Sequence, residues 1–139
     1  MTVFFEDMQI GQSAQAAKTV TEADIVLFAG ISGDHNPVHL NQEYAATTRF
    51  GGRIAHGALS ASFISAALGM YLPGTGTIYL SQTLKFRAPV RIGDTVTATV
   101  TVKAMDERKK FVTFDTVCTV GGTVVIEGEA LVVAPTRGG

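Results

Sequence analysis

Residues 56–70 read His-Gly-Ala-Leu-Ser-Ala-Ser-Phe-Ile-Ser-Ala-Ala-Leu-Gly-Met, without one Asp, Glu, Lys or Arg. As a helix rising about 1.5 Å per residue, this stretch makes a rod of roughly 22 Å, about the depth of a small domain. A helix with no charged face is expected to be buried all round. It falls short of the roughly 20 apolar residues that span a bilayer, so its cover must come from protein. The rest of the chain must therefore supply a wrapping, and that requirement narrows the folds open to it.

The C-terminal half supplies strands. Residues 77–87 place Ile78, Leu80, Leu84 and Phe86 on one face, and residues 95–102 alternate Thr with Val or Ala. Residues 111–120 and 123–133 flank Gly121-Gly122, a pair suited to a primed hairpin turn. Residues 106–110 form a charged hairpin loop, and 88–94 a turn into the next strand. An antiparallel sheet with one apolar face must cover it, and wrapping it around the one apolar helix does so. The expected class is α+β: a single hot-dog fold over residues 1–139, with an antiparallel β-sheet wrapped around a long central apolar helix. Such a sheet leaves edges that need pairing, so a homodimer is expected.

The N-terminal half reads as helices and loops. Thr21 is placed to cap a helix, with Asp24 at the reciprocal position, and Ile25, Leu27, Phe28 and Ile31 form its apolar stripe as far as Gly33. Asn36-Pro37 fits a second helix start, and Asn41 a third, short one through Tyr44, Ala45 and Ala46. The second start lies inside Gly33-Asp34-His35-Asn36-Pro37-Val38-His39-Leu40, which holds a carboxylate and an imidazole around a rigid turn. Pro37 disfavours the helical conformation at Asn36, so Asp34 and His39 can project to one side of that turn. An acid and a base so placed suit proton transfer. The plainer alternatives are a turn aspartate and a half-buried structural histidine.

Composition removes several function classes. The chain has 46% hydrophobic and 17% charged residues, enough apolar material for a core. A net charge of -1 makes no electrostatic case for nucleic acid or an anionic membrane. The acidic start Glu6-Asp7 is unlike a signal peptide, and a cytoplasmic location is expected. A single cysteine, Cys118, excludes an internal disulfide framework, and the three histidines are too irregularly spaced to suggest a metal site.

Several of these segments together resemble the MaoC-like (R)-specific enoyl-CoA hydratases. The likeness is carried by Asp34-x-Asn36-Pro37-x-His39, Ala45-Ala46-Thr47-Thr48-x-Phe50, Ile54-Ala55-His56-Gly57 and Ser62-x-x-Ser65. It continues through Ile78-Tyr79-Leu80-x-Gln82 and Pro89-Val90-x-x-Gly93-Asp94 to Gly128-Glu129-Ala130. It is similar above all to the short hydratases that feed polyhydroxyalkanoate synthesis. One departure is His35, where many relatives carry an aromatic residue.

The resemblance implies a cofactor-free, metal-free dimer acting on an acyl-CoA thioester. It makes Asp34 and His39 the catalytic pair, the backbone N–H of Gly57 an oxyanion donor, and Ser65 a support for the pair. The elementary chemistry agrees for Gly57, because the first turn of any helix has free N–H groups and glycine admits close approach. Gly57 is also open to a packing role, and Ser65, Ser60 and Ser62 to bonding back onto the helix backbone. His56 reads as a structural residue at the helix entry. Tyr44, Phe50, Phe63, Leu68 and Met70 are either core or the wall of an acyl tunnel. Lys85, Arg87, Lys109 and Lys110 either meet CoA phosphates or stay solvated. The expected reaction is reversible hydration of trans-2-enoyl-CoA to (R)-3-hydroxyacyl-CoA. Rivals are a 3-hydroxyacyl-carrier-protein dehydratase, a hot-dog thioesterase and a non-catalytic acyl-thioester-binding domain.

Overall fold

The computed structural model describes all of residues 1–139. A short 3-10 turn, Phe5–Asp7, precedes strand β1 (Ser13–Thr19), and three helices follow: α1 (Glu22–Ser32), α2 (Pro37–Leu40) and α3 (Gln42–Ala46). Helix α4 (Gly57–Met70) leads into β2 (Ile78–Gln82), β3 (Lys85–Phe86), β4 (Thr95–Asp106), β5 (Phe111–Val120) and β6 (Thr123–Val133). The six strands form one antiparallel sheet in the order β1-β4-β5-β6-β2, with β3 also on β6.

The sheet curls around α4. Along β4, Val96, Ala98, Val100 and Val102 are buried, as the alternation there requires, and Val112, Phe114 and Cys118 of β5 continue the same face. Leu59, Phe63, Ile64, Ala67 and Leu68 of α4 pack onto it. Fully burying a Leu, Ile or Phe side chain contributes roughly 1.5–3 kcal/mol, so this one helix face anchors the fold. At the β5–β6 turn, Gly121 and Gly122 both have positive φ, 55° and 83°, as a primed hairpin turn demands.

The start of α1 follows its sequence signal in detail. The Thr21 hydroxyl accepts from the Asp24 N–H at 3.1 Å, and the Asp24 carboxylate accepts from the Thr21 N–H at 3.0 Å, closing a capping box. Gly33 ends the helix at φ 81°, in the left-handed region.

Four expectations need correction. Helix α4 is not buried all round: the sheet covers one side, and Ala58, Ser62, Ser65, Ala66, Gly69 and Met70 are exposed on the other. The stripe of α1 is likewise only partly covered, with Ile25 buried but Leu27 and Ile31 open to solvent. Residues 77–87 form two short strands rather than one, because the register shifts between Tyr79 and Ser81 and the pairing stops at Gln82. The N-terminal half is not all helix and loop: β1 pairs along β4 from Ser13 opposite Thr101 to Thr19 opposite Thr95. Its Ala, Gln and Lys are weak strand formers, so the tertiary pairing and not local propensity makes it a strand. No helix is long and apolar enough to cross a membrane.

Candidate active site

The loop from α1 to α2 is built by its own side chains. Ser32 donates to the Phe28 carbonyl at 2.7 Å and accepts from the Asp34 N–H at 3.1 Å. Asp34 Oδ1 accepts from the Asn36 N–H at 3.1 Å, and Asn36 Oδ1 from the Val38 N–H at 3.1 Å, which caps α2 with Pro37 in its first turn. One carboxylate oxygen of Asp34 is therefore committed to the turn, and the other, Oδ2, faces His39 Nε2 at 3.9 Å.

His39 is held in one tautomer. Its Nδ1 lies 2.8 Å from the Ile54 carbonyl, which can only accept, so Nδ1 carries a proton and, in the neutral ring, Nε2 presents the lone pair. Arg53 donates from Nε to the His39 carbonyl at 2.6 Å while its guanidinium pairs with Glu22 at 2.8 and 3.0 Å, tying α2 to the start of α1. The His39 side chain is 11% exposed and that of Asp34 is 51% exposed, so a water reaching the pair does so from the aspartate side.

His56 does more than mark the helix entry. It is 2% exposed, its Nε2 donates to the Asp34 carbonyl at 2.9 Å, and its ring stacks on His39 with centroids 3.9 Å apart and planes at 28°. Phe28 closes the other side at 4.9 Å. One buried imidazole thus holds the backbone of Asp34 and the ring of His39 together. Its preceding a glycine and an apolar helix gives its position in the chain, but its approach to a residue 22 positions earlier comes only from the fold.

Asp34, His39 and His56 also bring potential ligand atoms within 4.8 Å of one another, which the irregular histidine spacing did not suggest. The two imidazole rings stack, with centroids 3.9 Å apart, and His56 Nε2 is already taken up by the Asp34 carbonyl. That geometry suits proton handling better than metal coordination.

A cavity of about 440 Å³ adjoins His39, within the usual size range for small-molecule sites. Its lining includes His39, Phe50, Gly57, Ser60, Arg87 and Ile126. Neither the N–H of Gly57 nor that of Ala58 has a backbone or side-chain acceptor. The Phe86 ring lies so close to Gly57 that a Cβ there would fall 2.6 Å from Phe86 Cε1. Close packing and free donors therefore coexist at Gly57.

The other sequence candidates scatter. Ser65 is exposed and makes no side-chain hydrogen bond, to the Asp34 loop or elsewhere. Ser62 bonds back to the Leu59 carbonyl at 2.5 Å, but Ser60, only 1% exposed, has no partner for its hydroxyl. Phe63 and Leu68 are core, and Tyr44 and Met70 are exposed. Arg87 reaches the cavity while paired with Glu127 at 2.5 Å, and Lys110 pairs with Glu107 at 3.0 Å. Lys109 lies over the Phe111 ring at 5.5 Å.

Known proteins share this arrangement of chain. The model of the MaoC like domain matches residues 6–124. An (R)-specific enoyl-CoA hydratase of Rhodospirillum rubrum is 66% identical over 135 residues, 97% of this chain and 94% of that protein. The (R)-specific enoyl-CoA hydratase of Aeromonas caviae is 45% identical, over 94% of this chain and 98% of its own. The unliganded R-hydratase PhaJ1 of Pseudomonas aeruginosa superposes with a TM-score of 0.93 at 44% identity, covering 98% of this chain and 88% of that one. The A. caviae (R)-hydratase involved in PHA biosynthesis superposes with a TM-score of 0.91, covering 94% and 99%. The fold is thus shared with relatives matched nearly end to end, and this chain belongs to the MaoC-like family of hot-dog proteins.

Proposed function

We propose that this protein is an (R)-specific enoyl-CoA hydratase, adding water reversibly to trans-2-enoyl-CoA to give (R)-3-hydroxyacyl-CoA. The observation that carries the reading is the approach of Asp34 Oδ2 to His39 Nε2, two acceptors 3.9 Å apart. They are too far apart to bond directly, yet a water about 2.8 Å from each would subtend roughly 90°, close to its own bond angle. Such a water donates one proton to each acceptor and turns a lone pair outward. The curated hydratases at 66% and 45% identity support the same reaction.

In the reaction, Asp34 takes a proton as the water oxygen bonds to the β carbon, and His39 holds and orients that water. Charge builds on the thioester oxygen, where the free N–H of Gly57 receives it. Asp34 then passes that proton to the α carbon from the same face, completing a syn addition and restoring its carboxylate with no net change in the enzyme. Positioned acid–base groups contribute about 10²- to 10⁴-fold, and a backbone oxyanion donor about 10²- to 10³-fold.

The working unit in this reading is a homodimer in the cytoplasm. Supporting the dimer are the uncovered small-residue face of α4 and the sheet edge at β2, where Ile78, Tyr79 and Leu80 are exposed. A sedimentation experiment at micromolar concentration is expected to give twice the chain mass, and a monomer there removes the dimer.

The reaction is tested with crotonyl-CoA. The conjugated enoyl absorbance is expected to fall, with (R)-3-hydroxybutyryl-CoA as product. Asp34→Asn is expected to lose at least about 100-fold in kcat with an unchanged circular dichroism spectrum. Release of free thiol would point to thioester hydrolysis, an (S) product would contradict the stereochemistry, and near-normal turnover by Asp34→Asn would take Asp34 out of the mechanism.

A further inference from the structure

We propose that Ser60 is a second hydrogen-bond donor to the thioester oxygen, acting beside the N–H of Gly57; the proposal rests on the hydratase reading above. Ser60 Oγ and His56 Nδ1 are the two buried side-chain polar atoms without a partner. A serine on a helix ordinarily bonds back to a carbonyl three or four residues earlier, as the exposed Ser62 does to Leu59. For Ser60 the carbonyl four residues back belongs to His56, and it already accepts the N–H groups of Leu59 at 3.1 Å and of Ser60 itself at 3.4 Å. The backbone of Ser60 does have a partner, since its carbonyl accepts weakly from the Cys118 thiol at 3.9 Å. Only the hydroxyl is left over.

Ser60 is one of the residues that line the cavity with Gly57 and His39, and its hydroxyl is shut off from solvent. Gly57 and Ser60 are three residues apart on one helix, so they share a face. The cavity thus receives a backbone donor from the first residue of α4 and a hydroxyl donor one turn further in. The chemistry of the ligand then selects the partner. The acyl half of an enoyl thioester is hydrocarbon apart from its carbonyl oxygen, so that oxygen is the one strong acceptor a buried donor there can meet. An unpaired buried hydroxyl weakens the free protein, and pairing it only when the oxygen charges puts the gain in the transition state.

The test compares Ser60→Ala with the wild type on crotonyl-CoA. The expected result is a kcat lowered about 10- to 100-fold with KM within about twofold, and a thermal midpoint unchanged or raised because an unpaired hydroxyl has been deleted. Ser60→Cys keeps the size with a weaker donor and is expected to fall between the two. Butyl-CoA thioether, which lacks the carbonyl, is expected to bind wild type and Ser60→Ala equally. A kcat within twofold of wild type in Ser60→Ala would overturn the proposal. So would a parallel loss of thioether binding, or a lowered midpoint accompanying lost turnover in both variants, since each assigns the hydroxyl to packing. A wild-type protein inactive on crotonyl-CoA would instead overturn the hydratase reading, and this inference with it.

Discussion

Replacing His56 by Phe separates its two contacts. The variant keeps a flat ring between His39 and Phe28 but loses the Nε2–H that donates to the Asp34 carbonyl at 2.9 Å. The lost bond costs about 1 kcal/mol, and the larger ring adds a packing strain of roughly 1–3 kcal/mol. Against these, the unpartnered Nδ1 disappears, returning about 1–3 kcal/mol of desolvation cost. The terms offset, so the net change in stability is expected to stay within about 2 kcal/mol. Activity has no such offset. Without its tether the Asp34 backbone is free to leave the 3.9 Å approach to His39, and about 1–1.4 kcal/mol of lost bias corresponds to a fall in kcat of about 5- to 10-fold. Steady-state hydration of crotonyl-CoA reads the single variant. A double-mutant cycle with Asp34→Asn reads the cause: once the carboxylate is gone, His56→Phe should remove little more. If the two losses multiply instead, His56 acts on something other than Asp34 and the tether argument fails.

Gly57→Ala places a methyl 2.6 Å from the Phe86 ring, which is 57% exposed and free to swing away. Folding should survive, with helix propensity improved by up to about 1 kcal/mol, while KM for crotonyl-CoA rises several-fold; unchanged kinetics would show that the ring does not shape the cavity. Burial pushes the Cys118 thiol up to about 11, so at pH 8 only about one thiol in a thousand is ionised. Iodoacetamide should label the native protein at least about 100-fold more slowly than the denatured one, and fast native labelling would contradict the buried placement. The Lys18 ammonium, with the Thr21 N–H, holds the Asp24 carboxyl below its ordinary value near 3.8. A lowered carboxyl stabilises the fold above its unfolded pKa and loses that contribution as pH falls through the folded one. Asp24→Ala should therefore cost about 1 kcal/mol near pH 7, and its difference in thermal midpoint from wild type should shrink on acidification below about pH 4; a pH-independent gap would mean the charge does nothing.

What could be read in advance was local. The capping box of α1, the Asn36-Pro37 turn, the alternation of β4 and the two-glycine hairpin each follow from a few neighbouring residues, and each is present. What escaped was set at long range. Strand β1 has weak strand formers and exists because β4 offers it an edge. The missing charge on 56–70 predicts burial all round, but small residues serve equally well on a face left for another surface, and Ser65 lies on that face. His56 and Ser60 look like any histidine before a helix and any serine within one. Their importance comes from a carbonyl 22 residues away and from a cavity walled by α4, the 86–90 segment and β6.

The way each helix begins explains why this helix, and not another, holds the substrate in the proposed reaction. Helices α1, α2 and α3 each start with a side-chain oxygen, from Thr21, Asn36 and Asn41, accepting a first-turn N–H. Helix α4 starts at His56, which offers none, and its first turn has no acidic residue. Capping it would be easy and would stabilise the protein by about 1 kcal/mol. A capping oxygen, however, would occupy the same N–H groups and oppose the same positive helix end that a developing oxyanion needs. His56 stands at the capping position and instead turns its ring to His39 and its N–H to Asp34. A single substitution of function follows: the residue that would have satisfied the helix positions the base, and the helix donors stay available for the thioester. In the proposed reaction, the stability given up at the start of α4 leaves its donors free to receive charge in the same cavity that His39 lines.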